Sequence, residues 1–211
     1  MRLVTYRKGS SRPRIGALVD DAVLDLAELA ADLARERGAV RRGRGGFPKT
    51  MTRELDYEVE LAVVIGVAGC DIARERALKH VFGYTVVNDV TARDLQKRHG
   101  QWFKGKSLDT FCPMGPVLVT ADEIADPQTL SVAVRINGET RQSSHTSKMI
   151  FPVDECIAVL SGGFTLLPGD VIATGTPEGV GAALGKFLAA GDTMEAEVER
   201  IGVLTNTIAA P

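Results

Sequence analysis

Asp56-Tyr57-Glu58-Val59-Glu60-Leu61-Ala62-Val63-Val64-Ile65-Gly66 decides how this chain is read, because it places two carboxylates in a run that otherwise buries apolar side chains. From Val59 onward the run is β-branched and apolar, contains no proline and stops at Gly66, which predicts a strand buried on both faces. Side chains alternate along a strand, so Glu58 and Glu60 share one face with Ala62 and Val64, while Tyr57, Val59, Leu61, Val63 and Ile65 line the other. Same-face neighbours lie roughly 7 Å apart. Two carboxylates so placed against an apolar surface repel each other and lose hydration, and a divalent cation between them would remove both costs. Spacing alone leaves a metal site and a solvated edge both open. Glu195, Glu197 and Glu199 alternate in the same way, and there the simpler account is the wet face of an amphipathic strand. What separates the two cases is the apolar continuation Ala62-Val63-Val64-Ile65, which carries the first pair toward a core.

The chain has 211 residues, 45% of them hydrophobic, and a formal net charge of −2. Those figures allow one substantial main domain with an appendage. No basic footprint or acidic tail stands out, which argues against nucleic acid and membrane surfaces as partners. The start, Met1-Arg2-Leu3-Val4-Thr5-Tyr6-Arg7-Lys8, becomes charged too soon for a signal peptide, and no apolar run approaches the roughly 18 residues that span a bilayer. The expected location is the cytoplasm. Cys70, Cys112 and Cys156 are odd in number and far apart, and are expected to be reduced, mostly buried thiols.

Residues 1–46 are expected to form a small amino-terminal unit and its connection. Strands are predicted over 3–7 and 15–19, Asp20-Asp21 makes a turn into 22–26, and Leu26, Leu29, Ala30 and Leu33 have helical spacing. Glycine and arginine then dominate 38–46 and mark a flexible connection. A larger unit, 47–211, begins at Phe47-Pro48. Within it a helical pattern over 72–80 faces Ala77 and Leu78 inward and puts His80 at the helix terminus. A strand over 84–88 delivers Asp89 at its end, where scaffolds commonly present functional side chains. Thr91-Ala92-Arg93-Asp94 has the form of a capping box, which assigns Asp94 to capping. Residues 101–110 read as a polar loop holding the only tryptophan, Trp102. Asn137-Gly138 between 132–136 and 139–142 predicts a tight hairpin. Pro152 opens a helix running to 161, and turns at 168–170 and 190–192 lead into strands over 171–174 and 193–201. The glycines of Thr174-Gly175-Thr176-Pro177-Glu178-Gly179-Val180-Gly181 allow close backbone approach to a ligand. This loop has neither a Walker nor a dinucleotide pattern, and a Rossmann dehydrogenase is excluded because no Gly-x-Gly-x-x-Gly follows any predicted strand.

Four stretches in this order resemble the fumarylacetoacetate hydrolase family. They are Asp56 to Gly66 as quoted, Gly83-Tyr84-Thr85-Val86-Val87-Asn88-Asp89-Val90-Thr91-Ala92-Arg93-Asp94-Leu95-Gln96, Gly105-Lys106-Ser107-Leu108-Asp109-Thr110, and the loop 174–181. Asn137-Gly138-Glu139 and Met149-Ile150-Phe151 lie between them, and the resemblance covers residues 48 to about 206. It implies an α+β, mostly β fold: a mixed β-sandwich roll with a small amino-terminal αβ domain, usually as a homodimer, with Mg²⁺ or Mn²⁺. By the resemblance Glu58, Glu60 and Asp89 are the metal ligands, and Gln96, Lys106, Gly175 and Thr176 meet the substrate. Lys106 is the implied catalytic residue, holding a substrate carboxylate or carrying a proton, and the backbone at Gly175-Thr176 faces a developing oxyanion. Three carboxylates with waters also suit the hard, octahedral chemistry of Mg²⁺ and leave positions for a bidentate 2-oxo acid. The implied reaction is C–C hydrolysis, decarboxylation or enol–keto isomerisation of a small 2-oxo acid or 1,3-diketo acid through a metal-stabilised enolate.

One departure bears on the reaction. Family members with hydrolase or decarboxylase activity usually carry a His-x-x-Glu pair on a mobile lid ahead of the Glu-x-Glu strand. Between Leu26 and Asp56 lie 29 residues (56 − 26 − 1), none of them histidine, and the Gly/Arg stretch stands where the lid would be. His99 and His145 are the candidate substitutes, and each is better read as a surface-loop histidine. A protein that binds the metal and 2-oxo acids with little turnover is therefore the alternative to an enzyme.

Overall fold

The computed structural model describes residues 2–6, 14–19, 22–25 and 52–209. The helical spacing expected over 26–33 and the Gly/Arg connection lie outside the described residues. The amino-terminal strands are β1 (Arg2–Tyr6), β2 (Arg14–Val19) and β3 (Ala22–Asp25). They are followed by β4 (Leu55–Asp56) and β5 (Val59–Ile65), then by a 3₁₀ helix (Arg74–His80) and β6 (Val81–Asn88). The short β7 (Thr91–Ala92) leads into helices α1 (Arg93–His99) and α2 (Phe103–Lys106). Strands β8 (Met114–Thr120), β9 (Ser131–Ile136) and β10 (Glu139–His145) precede α3 (Val153–Leu160). The chain ends with β11 (Val171–Ala173), α4 (Gly181–Leu184), β12 (Thr193–Val198) and β13 (Gly202–Thr207).

Two sheets result, a seven-stranded one in the order β11-β5-β6-β8-β1-β2-β3 and a four-stranded one in the order β10-β9-β12-β13, with β4 and β7 as a separate pair. The smaller sheet packs across β5, β6 and β8 of the larger. Leu61, Val63 and Val86 of one sheet and Val134, Ile136, Ala196 and Val198 of the other belong to a single buried cluster. Period-two alternation explains this directly, since both sheets turn one apolar face to the other. β1 pairs antiparallel with β8, so the amino-terminal strands continue the larger sheet. The mostly β, two-sheet architecture expected from the sequence is what the chain adopts. Among the described residues no helix is long and apolar enough to cross a membrane.

Several local expectations hold and several are corrected. Asn137 and Gly138, at φ of 51° and 81°, form the tight hairpin turn between β9 and β10. The pattern over 72–80 is a 3₁₀ helix from Arg74, with Ala77 fully buried but Leu78 40% exposed. At three residues per turn, adjacent side chains diverge by a third of a turn, so both cannot face inward. The His80 ring bonds the Val67 carbonyl at 2.9 Å rather than the helix terminus. The loop over 101–110 contains α2. β12 ends at Val198, because the chain reverses through Arg200 at φ 66° and returns as β13. The cysteines are free but not buried: Cys70 and Cys112 are exposed and Cys156 is half-buried.

Candidate metal centre and substrate site

β5 and β6 run antiparallel with Val59 opposite Asn88, which brings Glu58, just ahead of β5, level with Asp89, just beyond β6. Two bonds lock this end of the pair: Asp89 N–H donates to the Glu58 carbonyl at 2.8 Å, and Glu58 N–H donates to the Asn88 side-chain carbonyl at 3.0 Å. Glu60, two residues on, falls on the same face. One oxygen from each of the three carboxylates lies within 4.8 Å of the others. Glu58 is 7% exposed and Glu60 4%. Burial pushes the Glu60 carboxyl up to about 7, and the Asp89 and Glu58 charges add to the rise against the Gly175 N–H and Lys106.

Lys106, at the end of α2, reaches into this cluster. Its Nζ donates to Glu58 Oε2 at 2.7 Å and to Asp89 Oδ2 at 2.6 Å. Burial alone would lower its pKa, but these two hydrogen bonds and charges outweigh burial and raise it, so the side chain is an ammonium at neutral pH. Close contact of α2 with α1 makes this reach possible. A side-chain carbon at Gly105 would sit 2.8 Å from both Cβ and N of Gln96, so only glycine lets the helices approach so closely. Gln96 itself accepts from Arg93 Nη1 at 3.2 Å.

Arg93 is a residue the sequence reading did not assign. Its Nη2 donates to Glu58 Oε1 at 2.5 Å and its Nε to Asp56 Oδ2 at 2.8 Å. The capping-box reading hid it. Thr91 lies in β7 and its hydroxyl bonds the Asp89 carbonyl, α1 starts at Arg93 without a side-chain cap, and Asp94 accepts from the Thr52 hydroxyl, Arg53 N–H and Leu95 N–H. A signal was present, since Arg93 and Gln96 are three apart and share one face of a helix.

The loop between β11 and α4 forms the opposite wall. Gly175 N–H donates to Glu60 Oε2 at 2.7 Å. Thr176 Oγ1 donates to the Val59 carbonyl at 2.9 Å and accepts from Gln142 Nε2 at 2.9 Å. Gly175 N–H and the Thr176 hydroxyl are thus occupied within the protein, while Thr176 N–H has no hydrogen-bond partner among the described residues. Of the two remaining histidines, His99 ends α1 at the surface. His145 lines a cleft of about 490 Å³ with Thr174, Gly175 and Thr176, and its Nδ1 bonds Ser147 Oγ at 2.7 Å.

Formal charges test whether a cation fits. With all four ionised, Asp56, Glu58, Glu60 and Asp89 would carry four negative charges, against two positive ones on Arg93 and Lys106, the cations bonded to Asp56, Glu58 and Asp89. A divalent ion would neutralise the remainder, and three carboxylate donors with no nitrogen or sulfur suit Mg²⁺ or Mn²⁺. In contrast, Glu195 and Glu197 sit partly in water and are both taken up by Arg135, at 3.2 and 2.8 Å.

Comparison with known proteins gives concordant matches. The family model described as Fumarylacetoacetate (FAA) hydrolase C-terminal matches residues 28–209. Oxaloacetate tautomerase YisK of Bacillus subtilis is 56% identical over 171 residues, which are 79% of this chain and 57% of that protein. The chain spans about half the length of the curated relatives it matches. A solved fumarylacetoacetate hydrolase from psychrophilic Exiguobacterium antarcticum is 35% identical with a TM-score of 0.83, covering 100% of both chains. Fumarylpyruvate hydrolase from Pseudomonas aeruginosa, solved in complex with Mn²⁺ and pyruvate, is 37% identical with a TM-score of 0.71, covering 77% of this chain and 69% of that one.

Proposed function

The chain belongs to the fumarylacetoacetate hydrolase family, and from that premise we propose that it catalyses enol–keto tautomerisation of a small 2-oxo acid of the oxaloacetate class, using Mg²⁺ or Mn²⁺ held by Glu58, Glu60 and Asp89. The observation that carries the reading is the three-carboxylate cluster, with Glu58 and Glu60 buried and Asp89 half-buried, and the Lys106 ammonium bonded to two of its members. When bound, the cation supplies Lewis acidity toward the substrate's 2-oxo oxygen. An ammonium has three N–H donors. Glu58 and Asp89 take two from Lys106, and the third holds a substrate carboxylate or delivers the proton that tautomerisation moves between oxygen and carbon. Gln96 and the Thr176 N–H, which has no partner among the described residues, would orient the bound acid. The similarity to an oxaloacetate tautomerase supports proton transfer over C–C hydrolysis. So does the histidine-free segment between Leu26 and Asp56, because hydrolysis also needs an activated water. The same reading takes the chain as a homodimer, supported by Ile150, Phe151, Val159, Phe164 and Leu167, all more than half exposed as they stand.

The test follows the decay of the oxaloacetate enol absorbance with and without Mn²⁺. Metal-dependent acceleration is expected, with a loss of about 10²-fold or more in Lys106→Met. Calorimetric binding of a 2-oxo acid without acceleration would replace the enzyme by the binding protein.

A further inference from the structure

Asp56 lies two residues before Glu58 and bonds none of the three clustered carboxylates, yet it is fully buried and its side chain reaches both Arg93 and the far end of the 174–181 loop. Its Oδ1 accepts from Tyr57 N–H at 2.8 Å and Gly181 N–H at 2.6 Å, and its Oδ2 from Ala182 N–H at 2.9 Å and Arg93 Nε at 2.8 Å. The approach is close enough to fix the residue type at the other end. A side-chain carbon on Gly181 would sit 2.6 Å from Asp56 Oδ1 and 2.4 Å from the Lys186 carbonyl. Asp56 therefore pins the far end of the loop whose near end, Gly175, bonds Glu60. It also sets the charge balance of Arg93, a guanidinium whose side chain is only 10% exposed. A buried cation must be matched by anions around it. With Asp56 taking Nε, Arg93 needs only Oε1 of Glu58, and Oε2 faces the cluster.

We propose that Asp56 is a positioning residue for the metal centre: by holding Arg93 at Nε it aims the guanidinium at Oε1 of Glu58, and that bond orients the carboxylate with Oε2 turned toward the cluster that would hold a divalent cation. Without Asp56 the guanidinium loses the bond that aims it, and without Arg93 Glu58 loses the bond that orients it, so either loss disturbs the same carboxylate. The inference rests on the assignment of Glu58, Glu60 and Asp89 as metal ligands.

Mn²⁺ binding, read by electron paramagnetic resonance titration without substrate, tests it in wild type, Asp56→Asn, Arg93→Gln and the double variant. Asp56→Asn is expected to weaken Mn²⁺ binding about 10- to 100-fold, the range typical of groups that orient metal ligands, and to alter the bound-Mn²⁺ spectrum. Because Asp56 acts through Arg93, the double variant should be no weaker than the worse single one. A purely structural role would lower the melting temperature of Asp56→Asn while its folded protein bound Mn²⁺ like wild type, and that result would overturn the proposal, as would additive losses in the double variant. If Asp56→Asn does not fold, Arg93→Gln decides, since it leaves the three backbone donors on Asp56 in place. Unchanged Mn²⁺ affinity there overturns the inference, and a loss of tenfold or more supports it. Glu58→Gln separates this from failure of the ligand assignment: unchanged Mn²⁺ binding in that variant would overturn both.

Discussion

Glu60 is held in a setting that favours its neutral form, 4% exposed and close to two further carboxylates, and such a group lowers stability whenever no cation is present. Glu60→Gln removes the charge and keeps an oxygen to accept the Gly175 N–H. In chelator-treated protein at neutral pH, we expect this variant to melt higher than wild type by roughly 2–4 °C, the shift that about 1 kcal/mol produces in a chain of this size. Adding Mn²⁺ should raise the wild-type melting temperature and leave the variant's nearly unchanged. A variant that melts lower than wild type without metal would mean that the carboxylate is stabilising. Tyr84 permits a pH prediction away from the metal. Burial pushes its hydroxyl up to about 12 from an ordinary value of 10.0, with a smaller contribution from Asp126. The proton is held more tightly in the folded state, so the stabilisation is complete below about pH 10 and is lost as pH rises toward 12. Two pH units correspond to about 2–3 kcal/mol. Denaturant titrations of Tyr84→Phe between pH 9 and 12 should show a shallower decline in stability than wild type, and parallel declines would refute the assignment.

At the scale of elements, two strands carry alternating glutamates, and among the described residues the candidate metal cluster forms on one of them. β5 turns Glu58 and Glu60 under the 174–181 loop, whereas β12 turns Glu195 and Glu197 to the surface, where Arg135 of β9 meets both. Glu195→Gln with Glu197→Gln should therefore leave the Mn²⁺ dissociation constant within error, while Ala at Glu58, Glu60 or Asp89 should remove most of the affinity. Isothermal titration of the four proteins distinguishes the strands, and loss of binding in the β12 variant would place the metal on the wrong strand. The stability cost of the β12 change should be small, because partly exposed ion pairs contribute about 0–1 kcal/mol.

For the whole molecule, the apolar side chains left in water between Ile150 and Leu167 lead to a prediction about assembly. Light scattering on the eluted protein should give about twice the 22.5 kDa chain mass, and Ile150→Glu with Phe151→Glu should reduce it to one. A monomeric wild type would refute the dimer. The sequence by itself determined what depends on near neighbours. The period of two put Glu58 and Glu60 on one face of β5, the end of a strand presented Asp89, and the backbone demands of a two-residue turn fixed Asn137-Gly138. Tertiary structure decided what depends on distant partners. Asp56 finds Arg93 37 residues away and Gly181 125 residues away, and no periodicity encodes such pairs, because they form only when separate elements are buried against one another. Arg93 read locally as part of a capping box, and its bonds to Asp56 and Glu58 formed only once β4, β5 and α1 met. The different surroundings of the two glutamate pairs arise in the same way. Alternation is identical in both, and only the packing of the 174–181 loop over one of them makes its carboxylates costly to leave without a cation.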